Sequence, residues 1–258
     1  MGLEEESFLT DAPLRSGVRI LSDAVPFEVL YERARSAERR ILTDEQVAQL
    51  PDGSGLWNAE EWRIRARSAG RLLHELRAFE PVARILEVGC GNGWLSAKLQ
   101  REGYDVLGID AFTAELEQAA RVFNEGPQFA RADLFHSALP KAFFDVIVFA
   151  ASFQYFPDAA EALEHARSML RSNGEIHVID TILYRSPVEA AAATERSRNY
   201  YAGIGVPEMT DHYHAHTLAE LKEIGHLRVL SAPSGMDRTL RRFGREASPF
   251  THVVITAQ

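Results

Sequence analysis

The sequence predicts an α/β fold, a doubly wound and mostly parallel sheet, and two observations carry that prediction. After Pro81, short apolar runs alternate repeatedly with amphipathic segments, the pattern of βαβ units whose sheet is covered by helices on both faces. Directly after the first apolar run, RILEVGCGNGWLSAKLQ (84–100) sets three glycines at alternate positions before a helical pattern begins. In an open parallel sheet, ligands bind where strands end and helices start, and glycine there lets the backbone approach closely.

The elements follow in order. Residues 1–25 show no sustained periodicity and are expected to form an extended arm. PFEVLYERARSAERRI (26–41) spaces Phe27, Leu30, Tyr31 and Ala34 as a helix does, and TDEQ (43–46) has the Thr and Gln of a capping box for a second short helix. PDGSG (51–55) is a loop. Residues 1–57 therefore read as an arm and helical cap, and 58–258 as the main domain. That domain opens with a long amphipathic helix over 58–79, capped by Asn58, with Trp62, Ala66, Ala69, Leu72, Leu73 and Leu76 on one face.

Strands are expected at 83–89, 104–110, 127–133, 143–150 and 175–182, with helices following the glycine turn and over 113–124 and 157–174. The last of these has Asp158 and Glu161 at its start and Gly174 at its end. A helix over 186–205 carries a Ser186 cap, Pro187 at its first position and Glu189 in the box position. A helix over 217–225 has a Thr217/Glu220 box, and strands at 227–232 and 250–257 finish the sheet. Residues 183–217 form an insertion expected to cap a substrate site.

Composition bounds the function. Of 258 residues, 46% are hydrophobic and 25% charged, close to soluble globular averages, and no apolar stretch nears the length of a membrane span. The acidic start MGLEEESFLT lacks the basic-then-apolar pattern of a secretion signal, so a cytoplasmic location is expected. A net charge of -9 disfavours a phosphate-tracking surface, and the basic run RRFGRE (241–246) reads as a solvated face, so no nucleic-acid partner is expected. Cys90 stands alone and can form neither an internal disulfide nor a thiolate metal site. Oligomeric state stays open.

A dinucleotide fingerprint GxGxxG would need its third glycine at position 94, where this chain has Trp94. The spacing Gly89, Gly91, Gly93, with Glu87 two residues ahead, instead resembles the ExGxGxG loop of class I S-adenosylmethionine (SAM)-dependent methyltransferases. Asp110, Asp133 and the segment FDVIVFAASFQYFPD (144–158) follow in the order that resemblance requires. The resemblance implies a seven-stranded sheet, SAM as cofactor and S-adenosylhomocysteine as product. It places Glu87, Gly89, Cys90, Gly91, Gly93 and Ala150 around the donor, Asp110 on the ribose hydroxyls, Ala111 and Phe112 beside adenine, and Asp133 with Leu134 at the adenine amino group.

The loop AASFQYF lacks the Asp/Asn-Pro-Pro-Tyr/Phe motif of amino-methyltransferases, and it resembles that of the ubiquinone/menaquinone-biosynthesis methyltransferases. A small-molecule acceptor methylated on oxygen or nitrogen is thus expected, with Gln154, Tyr155, Tyr200 and Tyr201 lining its site. Tyr155, His214 and His216 are candidate catalytic groups, the histidines as general base because imidazole titrates near neutrality. His212, His214 and His216 share one face if extended, but no fourth ligand or carboxylate is evident, so no metal is expected. Trp57, Trp62 and Arg63 are expected to meet the methionine end of the cofactor from the cap. The alternatives are a relative that binds SAM but catalyses a non-methylating reaction, and a SAM-binding protein without catalysis.

Overall fold

The structure, a computed structural model, describes residues 2–80, 82–243 and 247–256. Helix α1 (Ser7–Thr10) and two short strands, β1 (Leu14–Arg15) and β2 (Val18–Ile20), precede α2 (Glu28–Ala37), α3 (Asp44–Gln49) and the long α4 (Ala59–Leu76). The alternating region runs β3 (Arg84–Val88), α5 (Trp94–Arg101), β4 (Asp105–Asp110), α6 (Thr113–Val122), β5 (Gln128–Arg131), β6 (Phe144–Ala150), α7 (Ala159–Met169) and β7 (Leu170–Thr181). Then come α8 (Pro187–Gly203), α9 (Leu218–Ile224), β8 (His226–Ser231), α10 (Gly235–Arg242) and β9 (Thr251–Thr256).

The strands form one sheet in the order β1-β2-β5-β4-β3-β6-β7-β9-β8. From β2 to β7 neighbours are parallel, while β1 and the last pair, β8 and β9, run antiparallel to their neighbours. The sheet has nine strands where seven were expected. The two additions come from the arm: β2 pairs Arg19 with Ala130 and Ile20 with Arg131, and β1 folds back on it. Three residues carry too little periodicity to read as a strand, and only the exposed ladder of β5 makes them one. Leu3 and Leu9 of the same arm are buried in the main core.

β3 lies at the centre, where the chain winds outward in both directions, so the ends of β3 and β6 form the topological switch point. Successive residues feed opposite cores. Leu86, Val88, Ile109 and Phe149 face α7 and α9, whereas Ile85, Val106, Val146 and Val148 face α4 and α5. Burial on both faces accounts for the near-continuous apolar runs.

Two expectations need correction. Helix α7 stops at Met169, five residues before Gly174, because Asn173 takes a left-handed φ of 67° and the register of β6 on β7 jumps between Phe144 and Val146. Gly174 belongs to that bulge, where a Cβ would stand 2.9 Å from the Asp145 carbonyl. Asn58 makes no side-chain cap on α4; its Nδ2 donates to Glu61 instead. The boxes at Thr43/Gln46 and Thr217/Glu220 are formed reciprocally. Of the basic run 241–246, residues 244–246 lie outside the described residues, as does Ala257 of the expected last strand.

The arm-side helix α2 and the insertion meet. Ala34 of α2 shares a small core with Tyr201 of α8, Val206 and Met209, joined by Phe27 and Leu30. The N-terminal cap and the insertion are therefore one packed unit over the strand ends. Among the described residues no helix is long and apolar enough to cross a membrane.

Behind the site, His177 of β7 and His252 of β9 are buried with ring nitrogens 3.0 Å apart. Burial, helped by His177, pushes the His252 pKa down to about 3. An unfolded histidine takes its proton near pH 6.5, so between roughly pH 6.5 and 3 the unfolded chain binds more protons and stability falls as pH falls, by up to about 1.4 kcal/mol per pH unit. Urea titrations at pH 7 and 5 should therefore show His252→Gln losing less stability on acidification than the wild type.

Candidate functional site

The first three amides after β3 are all tied to the end of β4. Gly89 and Cys90 both donate to the Ile109 carbonyl, at 2.8 and 3.0 Å, and Gly91 donates to Asp110 Oδ2 at 2.8 Å. The turn needs positive φ at Gly89 and Gly91, 74° and 51°. At Gly89 a Cβ would also come within 2.4 Å of Ser152 Cβ, whose hydroxyl donates to the Val88 carbonyl. The result is a turn whose Gly89 and Gly91 leave the backbone bare on either side of Cys90, held rigidly above the switch point.

Two buried acids flank this turn. Asp110 Oδ1 accepts from Phe112 N–H at 3.0 Å while Oδ2 holds Gly91, which occupies two of the roughly four lone-pair positions of a carboxylate. Burial, reinforced by Glu115, pushes its pKa up to about 7 against the pull of those amides. Glu87 is buried further, with Ser96 Oγ donating at 2.5 Å, and desolvation lifts it to about 8.

A cavity of about 810 Å³ opens beside the turn, within the range of roughly 300–1,000 Å³ typical of small-molecule sites. Glu87, Gly89, Cys90 and Gly91 form one wall, and Ala150, Ala151, Gln154 and Tyr155 another. The cap supplies Tyr31, Arg35 and Trp57, α4 supplies Trp62, and the insertion supplies Tyr200, Tyr201 and Tyr213. Ion pairs stiffen the mouth: Glu61 accepts from Arg40 through both oxygens and from Arg65 at 2.8 Å. Burial raises the Glu61 pKa, but the two guanidiniums win and bring it to about 2. Burial likewise lifts Tyr155 to about 12, so it stands as a neutral phenol.

Residues 61–231, more than half of the chain, match the family described as a methyltransferase domain. This chain belongs to that family. It carries a class I SAM-dependent methyltransferase domain. An uncharacterized methyltransferase of Mycobacterium tuberculosis is 31% identical over 96 residues, covering 37% of this chain and 49% of the relative. The match thus spans about half the length of that curated protein. A ubiquinone biosynthesis O-methyltransferase of Alkalilimnicola ehrlichii is 33% identical over 175 residues, 61% of this chain and 67% of the relative. Among solved structures, geranyl diphosphate C-methyltransferase from Streptomyces coelicolor superposes with a TM-score of 0.60 at 16% identity, covering 92% of this chain and 99% of that one. That last likeness is one of fold.

Of the residues expected around the methyl donor, the cavity wall holds Glu87, Gly89, Cys90, Gly91 and Ala150. Gly93, Asp110, Ala111, Phe112, Asp133 and Leu134 are not among its lining. Gly93 starts α5, with space for a Cβ closed by Phe129 at 2.6 Å. Phe112 is covered: the Tyr31 ring lies on it at 3.9 Å and 4° between planes, and Phe27 meets it edge-on at 5.5 Å. Tyr31 is kept there by Arg35, whose guanidinium donates to Glu115 at 2.9 Å, and by Glu28, which accepts from Thr113 N–H at the start of α6. Asp133 accepts from Phe135 N–H and pairs with His136, and Leu134 is core. Helix α2 thus covers Phe112, and its Tyr31 and Arg35 also line the cavity.

Gln154, Tyr155, Tyr200 and Tyr201, the residues expected around an acceptor, all line the cavity. The Gln154 amide is occupied, donating to the Ala151 carbonyl and accepting from Thr181 Oγ1. The histidines do not reach the wall. His216 is buried with Nε2 2.9 Å from the Phe156 carbonyl, His214 gives its backbone N–H to the Gln154 carbonyl, and His212 stacks on Phe27 at 4.0 Å. The rings of His212 and His216 pack on Phe27 and Phe153. Trp57 and Trp62 line the cavity, whereas Arg63 does not. Among the described residues no group of His, Cys, Asp or Glu is arranged to hold a metal.

Tyr31, Arg35, Asn58, Arg65 and Asp180 also line the cavity and were read only as helix, cap or strand positions. Asp180 could have been found by the rule that found Asp110: both are acids closing an apolar strand at its carboxyl end.

Replacing Gly89 with alanine forces a Cβ into Ser152 from a left-handed backbone and should cost about 1–3 kcal/mol. Chemical denaturation measures it, with Gly55→Ala, where a Cβ has nothing within 4 Å, as the control.

Proposed function

We propose that this chain transfers a methyl group from SAM to an oxygen or nitrogen of a small-molecule acceptor. The observation that carries the reading is the bare Gly89–Gly91 backbone on one wall of a cavity whose other walls are aromatic and polar. The residues fit the donor, since Asp110 keeps free lone pairs at the strand end and the turn offers close approach. Bound SAM supplies an electrophilic methyl on a sulfonium sulfur. The chain's part is to hold and exclude: Gly89 and Gly91 receive the nucleotide, Asp110 accepts from its ribose hydroxyls, and Tyr155, Tyr201 and Tyr213 wall off water. Methyl transfer of this kind gains mostly from fixed contact between nucleophile and methyl in a dry site.

The net negative charge and the cap-covered cavity favour a small acceptor over a nucleic acid. The named activity of the ubiquinone biosynthesis relative supports oxygen as one acceptor atom.

Calorimetric titration of SAM, S-adenosylhomocysteine and NADH tests the donor assignment. Both sulfur nucleotides should bind and NADH should give no heat. Asp110→Ala should weaken SAM by at least about tenfold, since hydrogen bonds to a charged group contribute about 1.5–3 kcal/mol. NADH binding without SAM binding would overturn the reading. Label from methyl-labelled SAM must then appear in a product; donor consumed without labelled product would mark a non-methylating enzyme, and binding without turnover a SAM-binding protein.

A further inference from the structure

Three cavity-lining residues carry a buried polar atom with no hydrogen-bond partner: Asn58 Oδ1, Trp62 Nε1 and Asp180 Oδ1. Buried polar atoms are almost always paired, so three orphans around one cavity need a reason. All belong to the wall between α4 and the end of β7. Trp62 packs in the core that Ile179 closes, and Asp180 is set against Ser68, Arg65 and Arg71 of α4. Asp180 is 5% exposed and takes a left-handed φ of 53°, and Ala151 at the neighbouring strand end does the same at 56°. Backbone held in this region at two adjacent strand ends beside a cavity is the kind of strain that accompanies function.

From this wall, and resting on the methyl-transfer reading above, we infer that Asp180 is the catalytic base for a hydroxyl acceptor, which Trp62 Nε1–H orients. The sense of the orphans selects the acceptor class. A hydroxyl donates its hydrogen to Asp180, accepts from the Trp62 indole with one lone pair and keeps the other for the methyl carbon. A neutral amine has a single lone pair, so one aimed at the methyl leaves nothing for the indole to donate to. Asn58 Oδ1 then takes a second N–H or O–H of the same molecule.

The step balances within the site. The acceptor's lone pair forms the O–CH3 bond as the C–S pair stays on sulfur, neutralising the sulfonium, and the O–H proton passes to Asp180 and later to water. Burial holds the Asp180 pKa above that of an ordinary aspartate while Arg65 and Ser68 pull it down, which leaves a carboxylate more basic than usual.

The test uses full-length protein, labelled SAM and two phenols, 4-methylphenol and 4-nitrophenol, beside a panel of aliphatic alcohols, amines, thiols and carboxylic acids at mildly alkaline pH. The wild type should label hydroxyl compounds. Asp180→Asn, which keeps the shape and tolerates the left-handed backbone, should cut 4-methylphenol turnover by about 10²–10⁴-fold but 4-nitrophenol, already ionised, by less than about tenfold. Trp62→Phe should raise KM for both phenols alike. Calorimetry of S-adenosylhomocysteine on each variant separates the donor reading from this one. Loss of donor binding in the wild type sinks methyl transfer itself. Donor binding intact with label only in amines, thiols or acids, or in nothing, overturns the hydroxyl assignment. Equal losses on both phenols overturn the base, and weakened donor binding in Asp180→Asn with unchanged turnover gives the carboxylate to the donor instead.

Discussion

Three consecutive amide donors, those of Gly89, Cys90 and Gly91, aimed at two consecutive acceptors at the end of β4, are the constraint on which the rest of the site depends. They fix the turn to the neighbouring strand before any cap residue is considered. The same bonds explain why Asp110 stays at the strand end despite burial: it is the terminus of a backbone ladder as well as a carboxylate. Removing it loosens the turn at both Gly91 and Phe112. Ser152, bridging to Val88 from the segment just after β6, closes the turn from the other side.

The cap is held by charge where the sheet is held by apolar packing. Arg35 with Glu115 and Arg40 with Glu61 join α2 and its C-terminal end to the domain, and each pair is only partly exposed. Partly buried bidentate pairs of this kind set geometry more than they add stability. They orient α2 so that its aromatic face meets Phe112, and its Ala34 and Leu30 meet the insertion. The cavity wall that carries Trp62, by contrast, is set by α4, whose apolar stripe is locked against the sheet.

What the sequence revealed follows the range of the interactions involved. The seven strands from β3 to β9, the glycine turn and both capping boxes depend on periodicity and on residues three apart, and they were legible. β2 was not, because its three residues become a strand only through β5, over a hundred positions away. The end of α7 was lost to a bulge created by β6. Tyr31 and Phe112 lie in a helix and a turn that nothing local joins. The histidines of the insertion drew attention by composition, yet their partners are carbonyls and rings from other segments, which composition does not show. Asp180 was legible in principle, since an acid ending an apolar strand is the same signal that marked Asp110.

The stacked pair of Tyr31 and Phe112 has a thermodynamic consequence for any planar base that comes to rest on Phe112. Such a base exchanges one aromatic stack for another and does not gain a stack outright. Its net affinity there is a difference between two similar quantities, and a small change in either ring decides the sign. The displaced tyrosine is attached to the helix that packs on the insertion, so that difference also sets how far a base on Phe112 disturbs the insertion.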